Sequence, residues 1–487
     1  MSQRPNLLLI TTDQQRGDCL GCAGHPAVET PYLDQLAQEG AYFPHAYTSV
    51  PSCTPARAAI LTGMDQWNHG RLTMSGGDAL EYPATLPGVL AGAGYHTQAV
   101  GKMHHHPQRR LYGFHHMVLD ESGRREPGFI SDYHRFFELH KEGHYGYRDH
   151  SVEWNSWMAR PSHLPEHLHP THWTASEGIR FLEQRDPSKP FFLWLSFARP
   201  HSPYDPPQPY YDMYIDHPEI PAPHMGEWAA PFDRRLADVN APRTRRSERE
   251  VHRARAGYYG NITFIDHQIG RVLYEFGKRD PQALSNTLVL FTSDHGDMMG
   301  DHCHWRKTYA YEGSARVPML LRWPRGWDLE GGRTVEGPTE MRDIMPTLLD
   351  AAGIEAPPSV DGESLFKLLR GGEGWRDFIQ GEHTSCYTRE HGMQYVTDGR
   401  EKYIWFHHTG AEQFFDLVED PGECRDLAGE ASAQGRIEVW RRRLAAVNEG
   451  RGDPRGEGGR LLPQAQGALS LSPNYGKWKA RAEALVN

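Results

Sequence analysis

The chain has 487 residues and a formal net charge of −11, and this length suits one large domain with a smaller one, or two to three ordinary domains. An apolar fraction of 38% predicts a globular core, while no run approaches the roughly 20 apolar residues of a membrane-spanning helix. The negative charge argues against a nucleic-acid partner. A cleft lined with basic side chains can still bind an anion, because the local field matters more than the total charge.

Cysteine usage and the first apolar segment bear on cellular location. Six cysteines are too few and too scattered for a disulfide scaffold, which favours a reducing compartment. The apolar run Leu7–Ile10 is shorter than the apolar region of a signal peptide, which has about 7–15 residues. The sequence therefore predicts a cytoplasmic protein without a membrane partner.

Short apolar runs alternate with helical patterns along the first three quarters of the chain. Buried strands are predicted at Asn6–Thr12, His96–Val100, Phe191–Phe197, Thr287–Thr292 and Val317–Trp323. Helices are predicted at Pro31–Glu39, Leu86–Ala93, Thr174–Gln184, Glu248–Lys278 and Met341–Ala352. This alternation predicts an α/β fold, with a large, mostly parallel sheet sandwiched by helices.

The last quarter of the chain has a different pattern. Antiparallel strands are predicted at Gln394–Val396, Lys402–Phe406 and Gln413–Leu417, followed by a helix at Arg436–Val447. We therefore predict an α/β domain over residues 1–375, a smaller domain of antiparallel strands and a helix over residues 376–450, and a tail or arm over residues 451–487. The tail has little periodicity, and is predicted to be partly disordered or to pack on a neighbouring subunit of a homo-oligomer. Pro203–Pro242, rich in proline, tyrosine and histidine, is predicted to be a long surface excursion.

Polar side chains follow four of the predicted strands, at the edge where an open α/β sheet binds ligands. They are Asp13-Gln14, Lys102 with His104, His201, and Asp294-His295. One aspartate after a strand is more often a turn or cap residue, but four such strand ends together favour a site. Asp13, Asp294 and His295 form a candidate divalent-cation cluster, to which Gln14 can add an amide oxygen. Carboxylates favour calcium or magnesium, while the imidazole also admits manganese or zinc.

The segment Val50–Gly63, "VPSCTPARAAILTG", predicts a short helix that begins near a cysteine. Pro55 suits the first turn, and Gly63 suits the end. Cys53 would then lie at the positive end of the helix dipole, where a thiol has a lowered pKa and an anion is attracted. Arg57 follows one turn later and can clamp Cys53 or a bound oxyanion. The alternative is that Cys53 is a small buried packing residue.

At this point the motifs resemble a known family. Cys53-Thr54-Pro55-Ala56-Arg57, followed by Leu61-Thr62-Gly63, resembles the signature of the formylglycine-dependent sulfatases of the alkaline phosphatase superfamily. Most of the chain shares this resemblance, through the segments "LLLITTDQQRGDCLGCAGHPAVETPYLDQLAQEGAYF", "GKMHH", "RPHSPYDPP", "FTSDHGDMMGDHCHWRKTYAYEGSARVPMLLRWP" and "EQFFDLVEDPGECRDLA".

The resemblance implies a modified residue and a metal. Cys53 would be oxidised by a formylglycine-generating enzyme to formylglycine, an aldehyde that hydrates to a geminal diol. One divalent ion, calcium in preference to manganese or magnesium, would be held by Asp13, Gln14, Asp294, His295 and the modified Cys53.

The resemblance also implies roles for the remaining side chains. Arg57, Lys102 and Lys307 would neutralise the charge on the sulfuryl group. His104 would be the base that breaks the covalent hemiester, and His201, with Lys307, would protonate the leaving alcohol. Lys102, His201 and Lys307 would thus also bind the substrate.

Two departures from the commonest family pattern bear on the substrate. Many sulfatases have two adjacent aspartates where this chain has Asp13-Gln14, and Asp-Asn where it has Asp294-His295; the pattern here resembles the choline sulfatase and phosphonate monoester hydrolase branches. The predicted function is a sulfatase for organic sulfate monoesters, whether aryl, choline or carbohydrate sulfates. The alternatives are a phosphonate monoester or phosphodiester hydrolase using the same site, and a non-catalytic binding module. Specificity is predicted to lie in the loops Asp65–Leu80, Gln108–Leu168 and Pro203–Arg246.

Overall fold

The computed structural model describes residues 4–74, 80–121, 127–385, 387–464 and 469–477. The strands of this part of the chain are β1 (Asn6–Asp13), β2 (Ala41–Tyr42), β3 (Ala46–Tyr47), β4 (His96–Gly101), β5 (His116–Leu119), β6 (Phe191–Pro200), β7 (Thr287–Ser293), β8 (Met319–Arg322), β9 (Arg333–Thr334), β10 (Thr339–Glu340), β11 (Ile379–His383), β12 (Met393–Thr397), β13 (Glu401–Phe406), β14 (Ala411–Asp416), β15 (Gly456–Glu457) and β16 (Arg460–Leu461). Its helices are α1 (Pro31–Glu39), α2 (Cys53–Thr62), α3 (Gln66–His69), α4 (Leu86–Gly92), α5 (Asp132–His140), α6 (Pro170–Gln184), α7 (Gln208–Ile215), α8 (Glu248–Arg279), α9 (Pro281–Ser285), α10 (Glu312–Ala315), α11 (Ile344–Ala351), α12 (Leu365–Leu369) and α13 (Gln434–Arg451).

The large sheet has the strand order β5-β4-β6-β1-β7-β8-β2-β9. The first five of these strands are parallel to one another, whereas β8 is antiparallel to both β7 and β2. The predicted mostly parallel sheet is confirmed, and β1, β4, β6 and β7 are the four strands expected to carry site residues. The fifth predicted strand contributes the antiparallel β8.

Helices cover both faces of this sheet, because alternate residues of each central strand face opposite ways. Leu7 and Leu9 of β1 pack in a core that includes α2, α4 and α11. Leu8 and Ile10 pack in a second core with α1, α6 and α8. Burial on both faces explains why β1 is an uninterrupted apolar run.

A second sheet, antiparallel and in the order β11-β12-β13-β14, forms the C-terminal part. One face packs on α13, with Trp405 and Trp440 in their shared core. The opposite face packs on the part that contains the large sheet, with Tyr395 and Tyr311 in that second core. This confirms the predicted smaller unit, and adds β11, which the sequence pattern missed. The domain limits at residues 375 and 450 stay predictions.

Two predicted irregular regions are more ordered than expected. Pro203–Pro242 contains α7, so the prediction of a surface excursion is wrong for that stretch: Tyr211 and Tyr214, three residues apart, are buried in a core shared with α8. In the predicted tail, β15 and β16 form a hairpin, and the Ser472 N–H donates to the Gly70 carbonyl of the same chain at 2.7 Å. Residues 465–468 and 478–487 of that tail, with 75–79 and 122–126 of the predicted specificity loops, lie outside the described residues.

Among the described residues, every helix is too short or too polar to cross a membrane.

Candidate active site

The predicted site residues meet at one edge of the large sheet. The strands β4, β6, β1 and β7 are parallel neighbours, so their carboxyl ends lie side by side. Thr12 pairs with Ser293, which places Asp13 next to Asp294. Lys102, directly after β4, lies with its Nζ 2.6 Å from Asp13 Oδ2.

Four buried side chains form a cluster suited to a cation. One ligand atom from each of Asp13, Cys53, Asp294 and His295 lies within 4.8 Å of all the others. His295 Nδ1 is 2.9 Å from the Gly296 carbonyl, which can only accept, so Nδ1 carries the proton. The lone pair of Nε2 then faces the carboxylates, at 3.5 Å from Asp294 Oδ1. Metal-binding histidines commonly have this arrangement, with the second nitrogen donating to a carbonyl.

Gln14 contacts this cluster through its backbone. Its backbone N–H donates to Asp294 Oδ1 at 3.1 Å, and its Nε2 donates to Asp297 Oδ2 at 2.6 Å. Its buried Oε1 has no hydrogen-bond partner among the described residues. An unpaired buried acceptor is costly, and carboxylate, amide and imidazole donors together suit a hard divalent cation.

Cys53 lies at the first position of α2, after the N-cap residue Ser52, and the helix ends at Gly63 with a φ of 67°. The Cys53 Sγ is 3.0 Å from Lys307 Nζ and 3.1 Å from His295 Nε2. Burial and Asp13 oppose the thiolate, but the ammonium groups of Lys307 and Lys102 are the main causes that outweigh them and lower the pKa of Cys53. Cys53 is therefore part of an electropositive site and not an inert packing residue.

Arg57 is committed to the ligand carboxylates. Its Nε donates to Asp294 Oδ2 at 2.9 Å, and its Nη2 lies 3.4 Å from Asp13 Oδ2. Its Nη1 donates to Ser196 Oγ at 2.9 Å and also to the Lys102 carbonyl. These contacts make Arg57 a support for the cluster; the predicted contact with a bound oxyanion stays a prediction.

A cavity of about 290 Å³ opens in front of Cys53. Its walls include the predicted Lys102, His104, His201 and Lys307. They also include six residues that the sequence did not single out, namely Asp120, Glu121, Trp154, Asn155, Arg306 and Tyr387. The first four of these lie in the predicted specificity loop Gln108–Leu168. Asp120 and Glu121 directly follow β5, so the strand-end rule applies to them too. β5 is short and partly exposed, and its apolar run, Met117–Leu119, has only three residues.

His201 is held in one orientation. Its backbone N–H donates to the Asp13 carbonyl at 2.9 Å, and its Nδ1 is 2.8 Å from the Ser202 carbonyl. Nδ1 therefore carries a proton, and Nε2 is the nitrogen left for substrate. Burial, with Lys307 and Lys102 nearby, lowers the pKa of His201. A substrate anion would offset those two positive charges and so raise the pKa of His201.

His104 has a left-handed backbone, with a φ of 56°. The N–H groups of Met103 and His104 donate to Glu121 Oε1 at 2.9 and 2.6 Å, and His104 Nε2 lies 3.9 Å from Glu121 Oε2. Glu121 is buried. It holds the turn that presents His104 to the cavity, and it is a positioning residue that the sequence did not reveal.

The fold and this edge of the sheet define the class: an α/β enzyme that acts on anionic esters. Residues 5–354 match the family model described as Sulfatase, and residues 300–449 match the one described as N-sulphoglucosamine sulphohydrolase, C-terminal. The chain belongs to the sulfatase family and is a sulfuric ester hydrolase, which sets aside the non-catalytic alternative.

Individual relatives agree with this assignment over nearly the whole chain. An arylsulfatase from Clostridium perfringens is 45% identical over 94% of this chain and 97% of its own length. A choline-sulfatase from Rhizobium meliloti is 30% identical over 87% of this chain and 82% of its own. The crystal structure of a phosphonate monoester hydrolase from Agrobacterium radiobacter is similar with a TM-score of 0.75 and 27% identity, over 92% of this chain and 96% of that one.

Proposed function

We propose that this sulfatase hydrolyses aryl sulfate monoesters with a formylglycine made from Cys53 and one divalent metal ion, calcium in preference to manganese or magnesium. The observation that carries the proposal is the place of Cys53: at the start of α2, in contact with Lys307, and within the cluster of candidate ligands. The similarity to an arylsulfatase along almost the full length supports an aryl leaving group.

The modification and the metal supply distinct chemistry. A hydrated formylglycine carries two hydroxyl groups on one carbon, so that one can attack sulfur and the other can release sulfate by restoring the aldehyde. A divalent ion held by Asp13, Gln14, Asp294 and His295 would polarise a sulfate oxygen. The Cys53 Sγ marks the place where an oxygen of the modified side chain would lie.

The chain's own cations would bind the sulfate group. Lys307 and Lys102 both line the cavity beside Cys53, so their ammonium groups face the negative charge of the ester and of the transition state. Arg57 keeps Asp13 and Asp294 in place through its contacts with both carboxylates. In this proposal Arg57 acts on the metal ligands, while the two lysines act on the substrate.

Two histidines would carry protons. His201 donates from Nδ1 to the Ser202 carbonyl, so a protonated ring would direct its Nε2–H into the cavity, towards the leaving oxygen. His104, on the turn held by Glu121, would take a proton from the modified residue as sulfate is released. The assignment of acid to His201 and base to His104 rests on family resemblance and on their places in the cavity wall.

The mass of the peptide that contains Cys53 tests the central step, since formylglycine replaces the thiol with an aldehyde oxygen and is lighter than cysteine. Protein made in a host with a formylglycine-generating enzyme should contain the lighter peptide and hydrolyse phenyl sulfate. Cys53→Ala should lose this activity, whereas Cys424→Ala, at a half-buried thiol outside the cavity, should keep it. Full activity in protein with unmodified Cys53 would contradict the proposal.

A phosphonate monoester hydrolase is the second candidate function. The structural similarity to such an enzyme favours it, as does the combination of Gln14 and His295, which leaves the cluster two carboxylates. Converted enzyme should then show a higher kcat/KM for phenyl phenylphosphonate than for phenyl sulfate. The reverse order would support the sulfatase proposal.

We further propose a cytoplasmic location and a formylglycine-generating enzyme as partner. Cys19, Cys22, Cys53, Cys303 and Cys424 are free thiols in the described part of the chain, as expected in a reducing compartment. Assembly into a homo-oligomer stays a prediction.

A further inference from the structure

A second cavity, of about 310 Å³, lies between the C-terminal sheet and the part of the chain that contains the large sheet. None of the catalytic or metal-site residues described above lines it. Its volume falls in the range of small-molecule sites, about 300–1,000 Å³. Aromatic rings dominate its wall: Trp228, Phe232, His304, Tyr309, Tyr311 and Phe406.

These rings form an ordered wall and not a packing fault. The Trp228 and Tyr311 rings stack with centroids 4.7 Å apart and an interplanar angle of 28°. His304 meets Tyr309 edge to face at 4.6 Å, and Phe232 meets His304 in the same way at 4.7 Å. Such offset and edge contacts are the favourable geometries of aromatic pairs, so the wall exists before any ligand binds.

The polar atoms of three aromatic residues of this wall are used within the protein. Their rings therefore offer mainly carbon to the cavity, which favours an aromatic ligand. The internal bonds are Trp228 Nε1 to the Glu423 carbonyl at 2.8 Å, Tyr309 Oη to the Pro242 carbonyl at 3.1 Å, and Tyr311 Oη to Gln413 Oε1 at 2.8 Å.

Charge at the cavity also suits an aromatic ring. The Arg243 guanidinium lies 5.4 Å from the ring centroids of both Phe232 and Tyr309, and a guanidinium near a cavity attracts the electron-rich face of a ring. The carboxylate of Glu412, also in the wall, is bound by Arg441 at 2.7 Å. The wall also contains the exposed carboxylate of Glu390, so the half-buried Arg243 is the charge that a ligand ring would meet away from solvent.

The aromatic cavity adjoins the active site along one short segment. Arg306, Lys307 and Thr308 line the cavity in front of Cys53, and the next residues, beginning with Tyr309, line the aromatic cavity. Two residues span at most about 7 Å. The Tyr309 ring is also 5.7 Å from that of Tyr387, which lines the active-site cavity. The two cavities are therefore neighbours, within the length of one molecule with two linked rings.

We propose that the aromatic cavity is a second binding site, which takes the distal ring of a two-ring aryl sulfate while the sulfate lies at Cys53. This inference rests on the proposed function, since it extends the aryl substrate beyond its first ring. The ligand class is an aryl sulfate whose second aromatic ring is joined by a short, flexible link.

Two esters with matched leaving groups test this proposal. 4-Benzyloxyphenyl sulfate and 4-methoxyphenyl sulfate differ only in the distal ring, so the ratio of their kcat/KM values reports that ring. We expect a ratio of about ten or more, because burying a ring of this size is worth at least that factor. Ala411→Trp, at an exposed residue of the cavity wall, should fill the space and bring the ratio to about one. Val439→Trp, which adds the same side chain to an exposed position of α13, should keep the ratio.

A ratio near one in the unaltered enzyme would overturn the proposal, and so would a ratio that survives both Ala411→Trp and Phe406→Ala. The second variant removes a wall ring, and so tests the site even where the first is poorly folded. If converted enzyme hydrolyses neither ester, the proposed function fails while the cavity remains testable. Calorimetric titration of Cys53→Ala with 4-benzyloxyphenol should then show binding that Ala411→Trp abolishes; no binding would overturn the site itself.

Discussion

Replacing Lys307 with methionine removes one positive charge from the active site and keeps most of the side-chain volume. Lys307 Nζ lies 3.0 Å from Cys53 Sγ, the place where the sulfate would be attacked. Burial opposes the charge on Lys307, but in the unmodified chain Cys53 and Asp13 outweigh it and raise the pKa of the ammonium group. Lys307 is therefore charged at neutral pH, and Lys307→Met tests what that charge contributes.

The size of the effect follows from the distance. Two unit charges about 4 Å apart interact by about 4 kcal/mol at an effective dielectric constant of about 20. Loss of that interaction from the transition state corresponds to a fall in kcat/KM of about 10³-fold. Because Lys102 lies in the same cavity, it would still neutralise part of the sulfate charge, so some activity should remain.

The assay is kcat/KM for a series of substituted phenyl sulfates, with the formylglycine content of each preparation measured by mass. If Lys307 also assists the leaving oxygen, Lys307→Met should lose activity most strongly on the esters with the least acidic phenols. Lys367→Met, at a half-exposed lysine paired with Glu363 on α12, is the control and should behave as the unaltered enzyme. A loss below about fivefold, at equal conversion and equal melting temperature, would refute the reasoning.

Three further predictions concern the supports of the site and the fold. Glu121→Ala should lower kcat about tenfold, because even a slight misplacement of His104 is costly. Glu121→Gln can still accept from the Met103 and His104 amides and should keep most of the kcat of the unaltered enzyme. Equal losses of kcat in both variants would contradict a positioning role. Removing metal with a chelator should abolish activity and lower the melting temperature, and calcium at about 100-fold its dissociation constant should restore about 3 kcal/mol of stability. Asp294→Asn should weaken this metal-dependent shift in melting temperature. A chelator without effect on the unaltered enzyme and on Asp294→Asn would exclude a metal at this cluster. Burial raises the pKa of Asp266 to about 7, so between about pH 4 and 7 the folded state holds a proton that the unfolded state has lost. The free energy of unfolding should therefore fall by up to about 4 kcal/mol as the pH rises through this window. Urea unfolding of Asp266→Asn should lack this pH-dependent loss of stability, and parallel pH curves for the two proteins would contradict the assignment.

The sequence alone predicted the central part of the site. Parallel strands end at a common edge, so apolar runs followed by Asp13, Lys102, His201 or Asp294 already placed these residues together. The helix that begins at Cys53 was equally predictable, because proline in the first turn and glycine at the end are local signals. These features depend on local signals, namely apolar runs and helix-terminal residues, which can be recognised within a short stretch of sequence.

Tertiary structure alone decided which partners each of these residues meets. The contacts of the Arg57 guanidinium with Asp13 and Asp294 were not predicted, because the packing of α2 on the sheet sets where that side chain points. Glu121 and Tyr387 reach the active-site cavity from a short strand end and an irregular loop, which have no periodic signal. The aromatic cavity depends on the C-terminal sheet meeting the segments that contain Trp228, Arg243 and Tyr309. Residues so far apart along the chain carry no local pattern that predicts their contact.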